Sequence, residues 1–223
     1  MNIILMAYVQ ATVLCRIVTK LWGSQMRNHM RAFSSRPEQK ALRQEVSMAE
    51  YIRLGEEQVR RSLFADFHRR QVVDEVLRRV DGEWAVRHDP FIDEWSGEDY
   101  EFLIECLRRT VRTGGFVCGA FVDGVLKGFA SVEAAPVGSR GQYMDLSCLH
   151  VSSEMRGCGI GTNLFRLAAG WAGQKGGQKL YISSHSAVET QAFYARMGCV
   201  DALEPIQEHV EAEPYDRQLE YEM

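Results

Sequence analysis

The sequence predicts an α+β domain, a mixed sheet with helices packed on it, and three observations carry that reading. Two apolar runs in "FVCGAFVDGVLKGFASVEA" meet at Asp123-Gly124, a strong hairpin signal. Downstream, strand-like and helix-like stretches alternate through "YMDLSCLHV", a helix over Ile160–Trp171, "KLYISS" and "AVETQAFYARMG". Upstream, Tyr100, Leu103, Ile104, Leu107 and Val111 recur at helical spacing. A β-meander feeding a βαβ unit requires both antiparallel and parallel neighbours in the sheet.

The domain is expected over residues 48–223, behind an N-terminal extension of residues 1–47. The extension opens with fifteen residues free of charge, "MNIILMAYVQATVLC". That is short of the roughly 20 apolar residues of a membrane span. Positive charge follows the apolar run instead of preceding it, unlike a secretory signal. Residues 1–37 hold five basic residues and no acid, leaving 21 basic against 30 acidic beyond them. The segment fits a dispensable or misassigned extension, an ordered accessory helix, or a targeting sequence. No membrane span is expected.

In chain order, "AEYIRL" alternates like a first strand, and residues 55–80 read as one or two helices ended by Asp81-Gly82. "EWAVRH" reads as a short strand. Ser96 is a predicted N-cap with Asp99 at N3, and Gly114-Gly115 stops the helix behind it. After the hairpin, "YMDLSCLHV" reads as one strand. The helix that follows should bury Ile160, Leu164, Leu167, Ala168 and Trp171 on one face, and Gly176-Gly177 should close it. "DRQLEYEM" completes the sheet as a final strand.

Composition narrows the function. The acidic body argues against nucleic acid, which needs a basic face. The six cysteines contain no CxxC pair and the six histidines no HxxxH or HExxH spacing, so neither a disulfide framework nor a metal site is expected. Reduced thiols fit a cytoplasmic protein.

The stretch "MRGCGIG", Met155 to Gly161, is the sharpest chemical signal. A phosphate-binding P-loop needs Gly-Lys-Ser/Thr, which occurs nowhere in the chain. A dinucleotide fingerprint needs GxGxxG and an acid about 20 residues on. Here the spacing is GxGxG, and no Asp or Glu occurs between Glu154 and Glu189. What remains is R-x-x-G-x-G: Arg156, Gly159 and Gly161 at a helix N-terminus. Unobstructed amides, the helix dipole and one cation together suit a pyrophosphate, while a plain strand-to-helix turn remains the bland alternative.

"LHVSSEMRGCGIG" resembles the fourth strand and pyrophosphate loop of the GNAT acyl-CoA N-acyltransferases, and "ETQAFYARMGC" resembles the later helix of that family. Cys199 stands where the family usually has an aromatic residue. The resemblance covers residues 48–223 and is strongest from 143 to 199. It implies a mostly antiparallel GNAT-like fold with a βαβ cofactor unit and a splayed strand pair. Acetyl-CoA is then the co-substrate, with Leu149, His150 and Val151 along its pantetheine arm. Arg156, Gly157, Cys158, Gly159, Ile160, Gly161 and Thr162 would cradle its pyrophosphate, largely through main chain.

The implied reaction is acetyl transfer to a primary amine by direct attack. An alkylamine, with pKa of about 10.4, arrives protonated, and the leaving thiolate gains from a proton donor. Tyr194 matches the family's tyrosine and is the expected acid. Asp145 is the expected base, on a strand face shared with Ser147, Leu149 and Val151 by the period-two rule, with Glu133 as the alternative. His150 points to the other face, and His185 lies just past the fifth strand. The mixed charges of residues 55–95 and the acids Glu208, Glu211, Glu213 and Asp216 identify no acceptor. A small-molecule amine is favoured over a protein, since no peptide-binding module is apparent. An acyl-CoA-binding sensor without catalysis is the alternative, and a homodimer is compatible with either.

Overall fold

The computed structural model describes residues 49–223, so the readings of the N-terminal extension lie outside the described residues. Three sheets organise the described residues. β1 (Glu50–Arg53), β4 (Phe116–Val122), β5 (Val125–Val132) and β7 (Cys148–Val151) form an antiparallel sheet in the order β1-β4-β5-β7. β6 (Tyr143–Asp145), β8 (Lys179–Ser184), β10 (Arg217–Glu222) and β9 (Val200–Asp201) form a second, in the order β6-β8-β10-β9. β2 (Arg70–Val80) and β3 (Glu83–Glu94) make a separate hairpin. Among the described residues only the β6–β8 pair is parallel. Among the described residues no helix is long and apolar enough to cross a membrane.

Among the described residues, four α-helices pack on these strands. α1 (Gly97–Arg112) begins at Ser96, whose Oγ accepts from Asp99 N while Asp99 Oδ2 accepts from Ser96 N, a reciprocal cap. It buries Tyr100, Leu103, Ile104 and Leu107 with Phe64, Phe67 and Phe129 on one side of the first sheet. α2 (Ile160–Gln174) buries Ile160, Leu164, Phe165, Ala168 and Trp171 on the other side, against Ala120, Ala130 and Val132. Leu167, expected inside, is 41% exposed, and Phe165 takes its place in the core. α3 (Val188–Met197) buries Tyr194 in the same cluster, and α4 (Gln207–Ala212) is a short helix before β10.

The helices expected over residues 55–80 are corrected. Two 3-10 turns, Glu56–Gln58 and Arg61–Phe64, precede a strand of 11 residues. Burial of Val73, Val76 and Leu77 does not alternate, so the stretch carries helix-like spacing. A bulge breaks the period where Asp74 faces Asp89 and Pro90, between the Val73–Phe91 and Glu75–His88 pairs. A proline at a bulge withdraws no ladder donor. Asp81 (φ 50°) and Gly82 (φ 86°) turn the hairpin in the left-handed region, as the favoured two-residue turn requires. Arg70 pairs with Glu94 and Arg78 with Asp89, so part of the mixed charge is cross-strand pairing.

"YMDLSCLHV" is also not one strand. β6 and β7 belong to different sheets, separated by a bulge at Leu146 and Ser147. β7 faces β5 in the Ser131–Cys148 register, yet Glu133 N donates to Asp145 O, so two residues on one side oppose one on the other. The bulge overturns the shared face expected for Asp145, Leu149 and Val151. Asp145 lies on the side of Cys148 and His150, whereas Leu149 and Val151 pack against the α2 core.

Candidate active site

The bulge opens a wedge. β6 and β8 pair from Tyr143–Lys179 to Asp145–Tyr181, and a bond from Leu146 N to Tyr181 O (2.9 Å) is the last link. Beyond it β7 turns to β5 and β8 to β10, and no ladder joins β7 to β8 among the described residues. The phase of the β5–β7 ladder shows which main-chain groups face the opening. Ser152 N donates to Lys127 O (2.9 Å), so His150 and Cys148 are the next residues bonded toward β5. Leu149 and Val151 therefore turn their N–H and C=O the other way, into the wedge. The Val151 carbonyl already accepts from Arg156 Nε at 3.3 Å.

His150 does not join that set. Its main chain faces β5, and its ring lies between Trp95 (4.7 Å) and Phe129 (5.3 Å) on the far side of the sheet. Burial, with the nearby Arg69 charge, pushes its pKa down to about 3 and keeps it neutral.

At the end of β7, a 3-10 turn over Ser153–Met155 leads into the glycine loop. Gly157 (φ 76°) and Gly159 (φ 97°) are left-handed, and a Cβ on either would meet open space. Glycine is thus required by backbone conformation, and the surface above the loop is clear. Gly159 offers no side-chain cap to α2, and the first turn (Ile160, Gly161, Thr162) has no intrahelical acceptor for its N–H groups. Cys158 Sγ reaches the Arg156 carbonyl at 3.7 Å. The main chain here fits an anionic group at the wedge mouth.

Tyr194 rises from α3, buried among Phe165, Phe193 and Ile182. Burial holds its phenol above the usual tyrosine pKa, with Cys199, Cys148 and Asp216 adding to the shift. The phenol therefore stays protonated at neutral pH. Tyr194 belongs to the core cluster against which Leu149 and Val151 of β7 pack.

The carboxylates diverge. Glu133 Oε1 accepts from Thr110 Oγ1 (2.7 Å) and Ser147 Oγ (3.0 Å), tying α1 to the bulge. Asp145 is buried, and its Oδ2 lies 3.1 Å from His209 Nε2 on α4. Sequence reasoning missed His209, which lies 64 positions away with no spacing that links the two. It also left Asp216 as one of several tail acids. Asp216 in fact accepts from Ser183 Oγ (3.4 Å), and burial, then repulsion from Glu213, pushes its carboxyl up to about 6. His185 lies 3.9 Å from Asp93, which also takes a short bond from Arg69. No group of three or more potential metal ligands occurs among the described residues.

A splayed strand pair, outward main chain along one lip and a glycine-opened helix start at its end define an acyl-CoA acyltransferase architecture. The model of the Acetyltransferase (GNAT) family matches residues 81–199, more than half of the chain, and the protein belongs to that family. Solved structures agree on the fold. A nourseothricin acetyltransferase is 18% identical over 77% of this chain and 95% of its own, with a TM-score of 0.54. A structure from Bacillus anthracis str. Ames, assigned as a streptothricin acetyltransferase and solved with acetyl coenzyme A, is 13% identical over 78% of this chain and 98% of its own, with a TM-score of 0.60. No curated protein matches the sequence.

Proposed function

We propose that the protein transfers the acetyl group of acetyl-CoA to the primary amine of a small molecule by direct attack. The observation that carries this reading is the wedge, with Leu149 and Val151 main chain on its lip and Tyr194 in the core cluster that their side chains pack against. The pantetheine arm adds as a strand along Leu149 and Val151, and the amides from Gly157 to Thr162, with Arg156, hold the pyrophosphate. The amine nitrogen loses a proton on the Asp145 side, and its lone pair forms the new C–N bond as the C–S bond breaks. The sulfur takes the Tyr194 phenolic proton, and the phenolate is reprotonated by the second proton leaving the nitrogen. The released proton passes to solvent, so the sum is amide, free thiol and one proton.

An amine panel with free-thiol detection and mass analysis of the product tests this. Acetylation of at least one small amine, with thiol released in equal amount, is expected. Acetylation of peptides alone would overturn the small-molecule reading. Thermal stability should rise with acetyl-CoA and not with NAD or ATP; a response to NAD alone would overturn the co-substrate.

A further inference from the structure

Asp145 stands where a base is needed, yet it is closed to a substrate. Its side chain is 11% exposed, Oδ1 is buried without a partner among the described residues, and Oδ2 faces the His209 ring. His209 is the group in front of it. Its side chain is 30% exposed, and its ring lies against Tyr181 at a tilt of 36°, with centroids 5.4 Å apart. Tyr181 Oη also accepts from Ile206 N (2.8 Å) at the start of α4 and donates to Gln218 Oε1 (2.6 Å) on β10. These bonds fix the helix that presents the imidazole. Nε2 is the ring nitrogen that faces Asp145, at 3.1 Å from Oδ2, so a neutral ring with its proton on Nε2 carries its lone pair on Nδ1.

We propose that His209 Nδ1 takes the proton from the acceptor ammonium, with Asp145 as the positioning residue that holds the ring and its tautomer. This rests on the amine-acetylation reading above. His209 lies outside the stretch that matches the family model, which ends at residue 199, so the family match does not carry this inference. In the step, one N–H bond of the ammonium breaks and its proton joins Nδ1. The imidazolium that forms is stabilised by the Asp145 carboxylate and releases the proton to solvent. The electron pair left on nitrogen makes the bond to the acetyl carbon.

The ionisable groups around the ring are Asp145 from β6, Tyr181 from β8 and Glu208 on α4 itself. The Asp145 bond raises the His209 pKa more than burial lowers it, and Glu208 adds to the rise. A base of this kind works only when neutral, so kcat/KM rises with pH through its pKa.

The experiment is the pH dependence of kcat/KM for wild type, His209→Ala, His209→Gln and Asp145→Asn, using an amine that the panel shows to be acetylated. Removing His209 should lower kcat about 10²-fold or more and abolish the acid limb, while the acetyl-CoA KM stays within about twofold. Asp145→Asn should keep a limb but move it to lower pH, a shift that a purely structural role would not produce. A thermal shift with acetyl-CoA confirms that each variant folds, and the glutamine variant serves if alanine does not. An unchanged acid limb or a kcat within about threefold in the His209 variants would overturn the proposal alone. An unmoved limb in Asp145→Asn would remove the positioning role. A wild type that acetylates no amine would overturn both readings together. Imidazole nitrogen NMR on the wild type is independent of turnover: a proton on Nε2 in the neutral ring is expected, and one on Nδ1 would overturn the assignment.

Discussion

The two lips of the wedge are built by different means. On the β7 side, the groups that face the opening are main chain, from Leu149 and Val151 to the amides at the start of α2. They come from one stretch of about a dozen residues, and glycines at 157 and 159 are required by left-handed backbone. On the β8 side, the groups are side chains gathered from afar: Asp145 with His209, Ser183 with Asp216, and Asp93 with His185. In the proposed reading the cofactor is held by backbone, while chemistry and acceptor choice fall to side chains.

The contrast can be broken by substitution. Largest is Tyr194→Phe, which removes only a hydroxyl. It should lower kcat about 10²-fold while acetyl-CoA affinity stays within about twofold by calorimetry. A parallel loss of affinity would mean that the phenol belongs to the cofactor lip instead. Next comes Gly159→Val, which forces a branched residue to φ near 97°. Acetyl-CoA binding should weaken about tenfold or more, with the melting temperature of the free protein lowered as well.

Asp216→Asn probes the side-chain lip through stability. The folded carboxyl titrates at about 6 against about 3.9 in an unfolded chain, so ionising Asp216 costs stability. The penalty is absent below pH 4 and complete above pH 6. The asparagine variant should melt a few degrees higher than wild type at pH 7.5, and the gap should close below pH 4. A gap of equal size at both pH values would show that charge is not its cause. Smallest is Glu133→Gln. A carboxylate that only tethers Thr110 and Ser147 should cost under about 1 kcal/mol in a denaturant titration and leave kcat within about threefold. A larger kcat loss would return Glu133 to the reaction.

What could be read before folding follows the same division. The glycine loop, the Ser96 cap and the Asp123-Gly124 hairpin are local, so residue type and spacing carry them whole. The Arg70–Val80 strand was hidden because its buried residues do not alternate and a bulge interrupts its pairing. Asp145 turns to the other face for the same reason, since one extra residue at Leu146 and Ser147 inverts the parity of a strand.

The sequence by itself determined the α+β class and the glycine-rich turn that starts α2. Both rest on periodicity and backbone freedom within a few neighbouring residues. Only the tertiary structure decided that β6 and β7 part company, that His150 turns into the aromatic core, and that Asp145 meets His209. Those outcomes depend on which strand edges find partners and which side chains lose solvent, and no short window of sequence contains both members of such a pair.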